Sequence, residues 1–227
     1  MAEREVFLRV YLNEIGVHTP VSFALGDSDA VQASAEPAAA QVSGTLDELA
    51  RQAASCRLCR LAEGRTQVVF GTGNPHAEIV FIGEAPGRDE DLQGEPFVGR
   101  AGKLLDKMMM AVGLDRQNVY IMNTVKCRPP NNRDPQTDEV QTCRHWFDAQ
   151  LQLLSPKVIC LLGRVAAQSV LESDAPLAAL RGRWHDYHGI PVLVTYHPAF
   201  LLRSPDQKHR SWADLLELRR SLATTGK

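Results

Sequence analysis

A chain of 227 residues, 44% of them hydrophobic, carries apolar material for one full core, which points to one domain with an appendage rather than two domains. The net charge of −2 excludes a uniformly basic nucleic-acid-binding surface, yet residues 1–55 hold three Arg against eight Asp and Glu, so the other 172 residues carry a net +3 and have the charge for a local basic patch. The start MAEREVFLRV lacks a basic stretch followed by an apolar one, and no apolar run approaches the roughly 20 residues of a membrane span, so a soluble, cytoplasmic protein with no membrane partner is expected.

Residues 3–15 place Val6, Phe7, Val10, Tyr11 and Ile15 at helical spacing, which predicts a short amphipathic helix. From Gly26 to Gly44 the large apolar residues thin out among Ala, Ser and acids, the composition of a flexible linker. Residues 1–44 are therefore read as an N-terminal helix and linker, and 45–227 as the folded body. Order restarts at TLDELARQAASC, where Thr45 and Glu48 have the spacing of a capping box.

Four apolar, β-branched runs follow: EIVFIG near 78, VYIMNTV near 119, KVICLLG near 157 and IPVLVTY near 190, each a predicted strand. Helical patterns lie between and after them, in AGKLLDKMMMAVG, TDEVQTCRHWFDAQLQLL, RVAAQSVLE and 209–223. Strands that are apolar throughout and alternate with helices predict a parallel sheet covered on both faces. Ligands of such sheets bind beyond the carboxyl ends of the strands, so GEAPGRDED, NTVKCRPPNNRDP and YHPAFLLRSP should converge.

Five cysteines in a chain without signs of secretion argue for ligation rather than a disulfide scaffold. Cys56 and Cys59 form CRLC, Cys127 follows the second predicted strand, and Cys143 lies in the next helix. Cys160, inside VICLLG, reads as a core hydrophobe. Four thiolates suit tetrahedral zinc or a [4Fe-4S] cluster, and the spacing leaves the two even. Either would staple residue 56 to the second strand and its helix.

GEAPGRDEDLQGEPFVGRAG, MNTVKCRPPNNRDP, YHPAFLLR and the four cysteines together, over roughly residues 45–222, resemble a family 4 uracil-DNA glycosylase. The resemblance implies a three-layer α/β/α sandwich with a four-stranded parallel sheet. It also implies removal of uracil from DNA, and a [4Fe-4S] cluster on Cys56, Cys59, Cys127 and Cys143. The partner would be uracil-containing DNA, met by a monomer.

A base inside a duplex must be flipped into a pocket before its glycosidic bond is reached. By resemblance, Phe97 stacks on the flipped uracil and Asn123 reads its edge, since an amide offers the donor and acceptor complementary to uracil O4 and N3–H. His197 stabilises the charge that develops on O2. Glu84 positions water or stabilises the cationic sugar, with Ala85 where family 1 glycosylases carry a catalytic aspartate, and Glu90 crowds the methyl of thymine. Leu201 is the expected wedge into the DNA and Arg203 a phosphate contact.

Two rival readings fit the residues less well. A nucleotide-binding phosphotransferase lacks both the Walker lysine and the dinucleotide glycine pattern. A uracil-DNA-binding protein of the same superfamily, which crosslinks instead of turning over, carries Gln at the position of Glu84 and a longer basic loop before its histidine, an insertion absent from GIPVLVTYHP.

Overall fold

The computed structural model describes residues 44–224. The helix expected over 3–15 and the linker up to residue 43 lie outside the described residues. The first helix, α1 (Leu46–Ala54), opens as its sequence dictates: Thr45 Oγ1 accepts the Glu48 N–H at 3.2 Å while Glu48 Oε2 accepts the Thr45 N–H at 2.8 Å.

The four predicted strands form as β2 (Ile79–Gly83), β3 (Tyr120–Asn123), β4 (Val158–Leu162) and β6 (Ile190–Thr195). They pair in parallel, β3 with β2, β2 with β4 and β4 with β6. The expectation of a four-stranded, purely parallel sheet is nevertheless corrected. The sheet has six strands in the order β1-β3-β2-β4-β6-β5, and both edges, β1 (Thr72–Gly73) and β5 (Trp184–Tyr187), run antiparallel to their neighbours.

The sequence hid these edges for physical reasons. Strand β1 is two residues long and half glycine, so it has no apolar run. Strand β5 faces solvent along much of its length and carries His185 and Asp186 at its centre, an edge pattern rather than a core one. A two-residue turn, His188–Gly189, returns β5 into β6, and both residues have positive φ, 50° and 83°.

Burial on both sheet faces explains the uniformly apolar strands. Ile79, Phe81, Ile121, Cys160 and Leu193 face one way, against α4 (Arg100–Ala111), α8 (Pro198–Arg203) and α9 (Lys208–Thr224). Val80, Ile82, Met122, Ile159 and Val194 face the other way, against α5 (Thr137–Leu154), α6 (Arg164–Leu171) and the short α7 (Leu177–Leu180). Period-two alternation thus divides each strand between two cores, giving three layers. Cys160 lies fully inside the first core. Among the described residues no helix is long and apolar enough to cross a membrane.

Candidate active site

The carboxyl ends of β2, β3 and β6 open on one cleft of about 630 Å3, counted to its open mouth. Glu84 and Ala85 leave β2, Asn123 ends β3, and His197 follows β6. Glu90, on the short α3 (Arg88–Gln93), and Phe97, on the loop after it, complete the wall. The structure therefore brings together six residues singled out in the sequence: Glu84, Ala85, Glu90, Phe97, Asn123 and His197.

Phe97 is held rather than merely packed. Its φ of 56° lies in the left-handed region, unusual for a bulky residue. Arg116 secures that conformation by donating to the carbonyls of Pro96, from Nη1 at 3.1 Å, and of Phe97, from Nη2, while Nη1 also pairs with Glu95 and Nε with Asp106. Glu90 Oε1 accepts the N–H groups of Val98 and Gly99, both at 3.0 Å, and fixes the far side of the loop. The ring sits 5.6 Å from the His197 ring, tilted by 34°. Gly83 makes this approach possible, because a Cβ there would lie 2.5 Å from Asn123 Oδ1 and 2.6 Å from Phe97 Cζ. Arg116 carried no sequence signal, since it lies 19 residues from the carbonyl it holds and joins the site only through folding.

Asn123 is 2% exposed, and its Oδ1 is a buried acceptor without a partner. An unsatisfied buried carbonyl costs about 1–3 kcal/mol, so this atom is set for a donor brought in from outside. Its backbone is anchored by Lys126, whose ammonium donates to the Asn123 carbonyl at 2.8 Å.

His197 caps α8. The backbone N–H of Ala199 donates to Nδ1 at 3.1 Å, so the proton of the neutral ring sits on Nε2. Burial, with a smaller push from the Arg203 cation, lowers its pKa to about 4, and the ring is neutral at pH 7. Glu84 shifts the opposite way: burial first and the Asp134 charge second raise its pKa, against the counter-pull of Arg164. Thr124 fixes its backbone, with Oγ1 donating to the Glu84 carbonyl at 2.7 Å.

The structure does not bring Leu201 to the cleft. That side chain is fully buried, in the core between α8 and the sheet, whereas its neighbour Leu202 is 37% exposed beside the exposed Arg203. Leu201, expected as the wedge, faces the core in this structure: successive helix residues point about 100° apart, and here the inward position falls on 201.

Behind Ala85 lies a second cavity. Cys56 and Cys59 sit between α1 and α2 (Leu61–Gly64), Cys127 follows β3, and Cys143 lies in α5; all four line a space of about 320 Å3, counted to its mouth. No three described His, Cys, Asp or Glu side chains are drawn together tightly enough to hold a single metal ion. The lining includes Trp146, one turn beyond Cys143, whose buried Nε1–H has no acceptor. Arg65 donates to Cys127 Sγ at 3.1 Å and the backbone N–H of Lys126 to Cys143 Sγ at 3.4 Å. Burial raises the Cys143 thiol to about 11 and also raises Cys127, with Arg65 opposing the latter. Four free thiols, with three N–H donors aimed at or orphaned beside them, are the donor chemistry of a sulfur-ligated metal site.

The cleft brings an unpaired amide oxygen, an aromatic wall and a neutral imidazole donor together, groups suited to holding a flat polar ring. Residues 70–216 match the family model described as the Uracil DNA glycosylase superfamily. The chain is 44% identical over 182 residues to the Type-4 uracil-DNA glycosylase of Archaeoglobus fulgidus, covering 77% of this chain and 92% of that protein. It is 42% identical over 192 residues to the enzyme of the same description from Sulfurisphaera tokodaii, covering 81% and 87%, and 43% identical over 157 residues to that from Thermotoga maritima, covering 68% and 82%. The chain belongs to the uracil DNA glycosylase superfamily, in its type-4 branch, and is a base-excision DNA-repair glycosylase, a hydrolase acting on DNA. Membership of that branch carries with it a metal cofactor.

Proposed function

We propose that the cleft takes a uracil base flipped out of DNA and that this chain hydrolyses its N-glycosidic bond, leaving an abasic site. The observation that carries this reading is the buried, unpartnered Asn123 Oδ1 in the wall of the cleft. Uracil N3–H supplies the missing donor, and the amide NH2 of Asn123 donates to O4. Cytosine presents the inverse pattern and leaves both groups unpaired. Phe97 stacks on the base, and Glu90, which pins the Phe97 loop, stands where it crowds a C5 methyl group.

Chemistry follows from the two shifted groups. The bond between the sugar C1′ and uracil N1 breaks with its electron pair going to uracil, whose O2 takes up negative charge. The neutral His197 donates Nε2–H to that oxygen from a fixed position. Glu84 orients a water, takes its proton as the oxygen bonds to C1′, and sets a negative charge near the cationic sugar. Leu202, with Arg203 beside it on a phosphate, fills the space left by the flipped nucleotide.

The four cysteines hold a [4Fe-4S] cluster, which when bound supplies a covalent staple between the α1–α2 turn, the end of β3 and α5. Protein purified anaerobically should contain iron and sulfide; one zinc and no iron per chain refutes the assignment. Reduced thiols and a DNA substrate support a cytoplasmic protein, acting as a monomer, with residues 45–227 as the catalytic domain and 1–44 as an appendage. Incubation with uracil-containing DNA tests the central reading. Free uracil and abasic sites are expected, whereas a protein–DNA crosslink that survives denaturing electrophoresis would favour a binding protein that does not turn over.

A further inference from the structure

Ala85, in the wall of the base pocket, packs against the cluster that holds Cys127 and Cys143, and a second, polar link joins the two regions. Arg133 lines the mouth of the base pocket and Arg60 directly follows Cys59, 73 positions earlier in the chain. Both reach one carboxylate. Glu139, in the first turn of α5 and one turn before Cys143, is fully buried. Its Oε1 accepts from Arg60 Nε at 3.0 Å and from Arg133 at 2.6 Å; its Oε2 accepts from Arg133 at 2.8 Å and from the backbone N–H of Gln136 at 2.8 Å. All four acceptor positions of the carboxylate are used. Arg60 is further pinned by Asp138 at 3.0 Å and by the Gln136 side chain.

We propose that Glu139 is a positioning residue for uracil excision: it holds the Arg133 guanidinium at the pocket mouth and ties that wall, through Arg60, to the cysteine staple. A planar guanidinium gripped on two nitrogens has one orientation, and Arg133 keeps its outer edge, a third exposed, at the rim where the flipped nucleotide enters. Without the grip the same side chain samples many rotamers, and each encounter with DNA must order it again. The arrangement also gives the staple a consequence at the site. Holding the turn that carries Cys59 holds Arg60, and Arg60 restricts the carboxylate that orients Arg133. Helix capping alone does not account for the pair of arginines, because the capping contacts of Glu139 use only the Gln136 backbone and side chain.

The inference rests on the cleft being the uracil pocket, and the test separates the two. Steady-state excision is measured on uracil-containing DNA for the full chain and for Glu139→Gln, Arg133→Gln and the double variant. Because Arg133 holds the nucleotide without touching the bond that breaks, Glu139→Gln should raise KM about tenfold and leave kcat within about twofold. Arg133→Gln should do the same, and the double variant should be no worse than the poorer single one, the sign of two groups acting as a unit. An unchanged KM in Glu139→Gln, a fall in kcat alone, or multiplicative effects in the double variant would overturn the proposal. Should Glu139→Gln not fold, Arg60→Gln, at a half-exposed side chain, is expected to raise KM about threefold, and wild-type kinetics there would overturn it instead. If the wild-type chain releases no uracil, it is the reading of the pocket that fails.

Discussion

The His197 ring ties catalysis to stability, so a pH change is a perturbation with a calculable size. Its pKa lies at about 4 in the folded chain against 6.5 in the unfolded one. Neutral His197 therefore favours the fold above pH 6.5, and that contribution is lost as the pH falls from 6.5 towards 4, because the unfolded chain binds the proton more tightly. With these two values the loss between pH 7 and pH 5 is about 2 kcal/mol. Urea unfolding of the wild type and of His197→Asn at both pH values isolates the effect, since the asparagine oxygen stands where Nδ1 does and can still accept the Ala199 N–H, and the other acids cancel in the difference. The wild type should lose about 2 kcal/mol more than the variant on going to pH 5. Equal losses, or an imidazole that titrates near 6.5 by NMR, would refute both the neutral ring and its Nε2–H donor role. Excision by the wild type should show no transition near 6.5, its acid limb belonging instead to Glu84, whose pKa is raised by burial.

Asn123→Asp keeps an acceptor but loses the amide donor, so uracil excision should fall about a hundredfold, roughly 2.7 kcal/mol of transition-state binding. Weak cytosine excision from unpaired sites is the expected gain, and wild-type rates on uracil would remove Asn123 from the reading of the base. Leu201→Ala should destabilise the fold by about 2–5 kcal/mol as a core cavity, whereas Leu202→Ala should change stability by less than about 0.5 kcal/mol. Excision by Leu202→Ala should drop about tenfold on duplex DNA but little on single strands, where no space needs filling; equal effects on both substrates count against the wedge. Arg116→Ala frees the carbonyls of Pro96 and Phe97, and kcat/KM should fall about tenfold while the urea midpoint shows a folded protein. A kcat/KM within twofold of wild type would show that Phe97 keeps its place unaided.

Much of this was legible locally. The capping box at Thr45 and Glu48, the four central strands and the helices between them follow from patterns only a few residues long, and capping and burial act over such distances. The cleft at the strand ends follows from parallel topology once those strands are recognised. The edge strands escaped because an edge needs neither length nor an apolar run, and the burial of Leu201 beside an exposed Leu202 was hidden because adjacent helix residues differ in burial only through what the helix packs against. Residue types in long motifs determined which chemistry this chain has the groups to perform: an amide, an imidazole, a carboxylate, an aromatic ring and four thiols. The tertiary structure alone decided their physical state. Burial made His197 neutral, left the Asn123 oxygen without a partner, and raised Glu84. It also set Arg116 under Phe97 and joined Arg60 to Arg133 through Glu139. Desolvation and hydrogen bonding between residues 19 to 79 positions apart exist only after the chain has folded, so no local pattern encodes them.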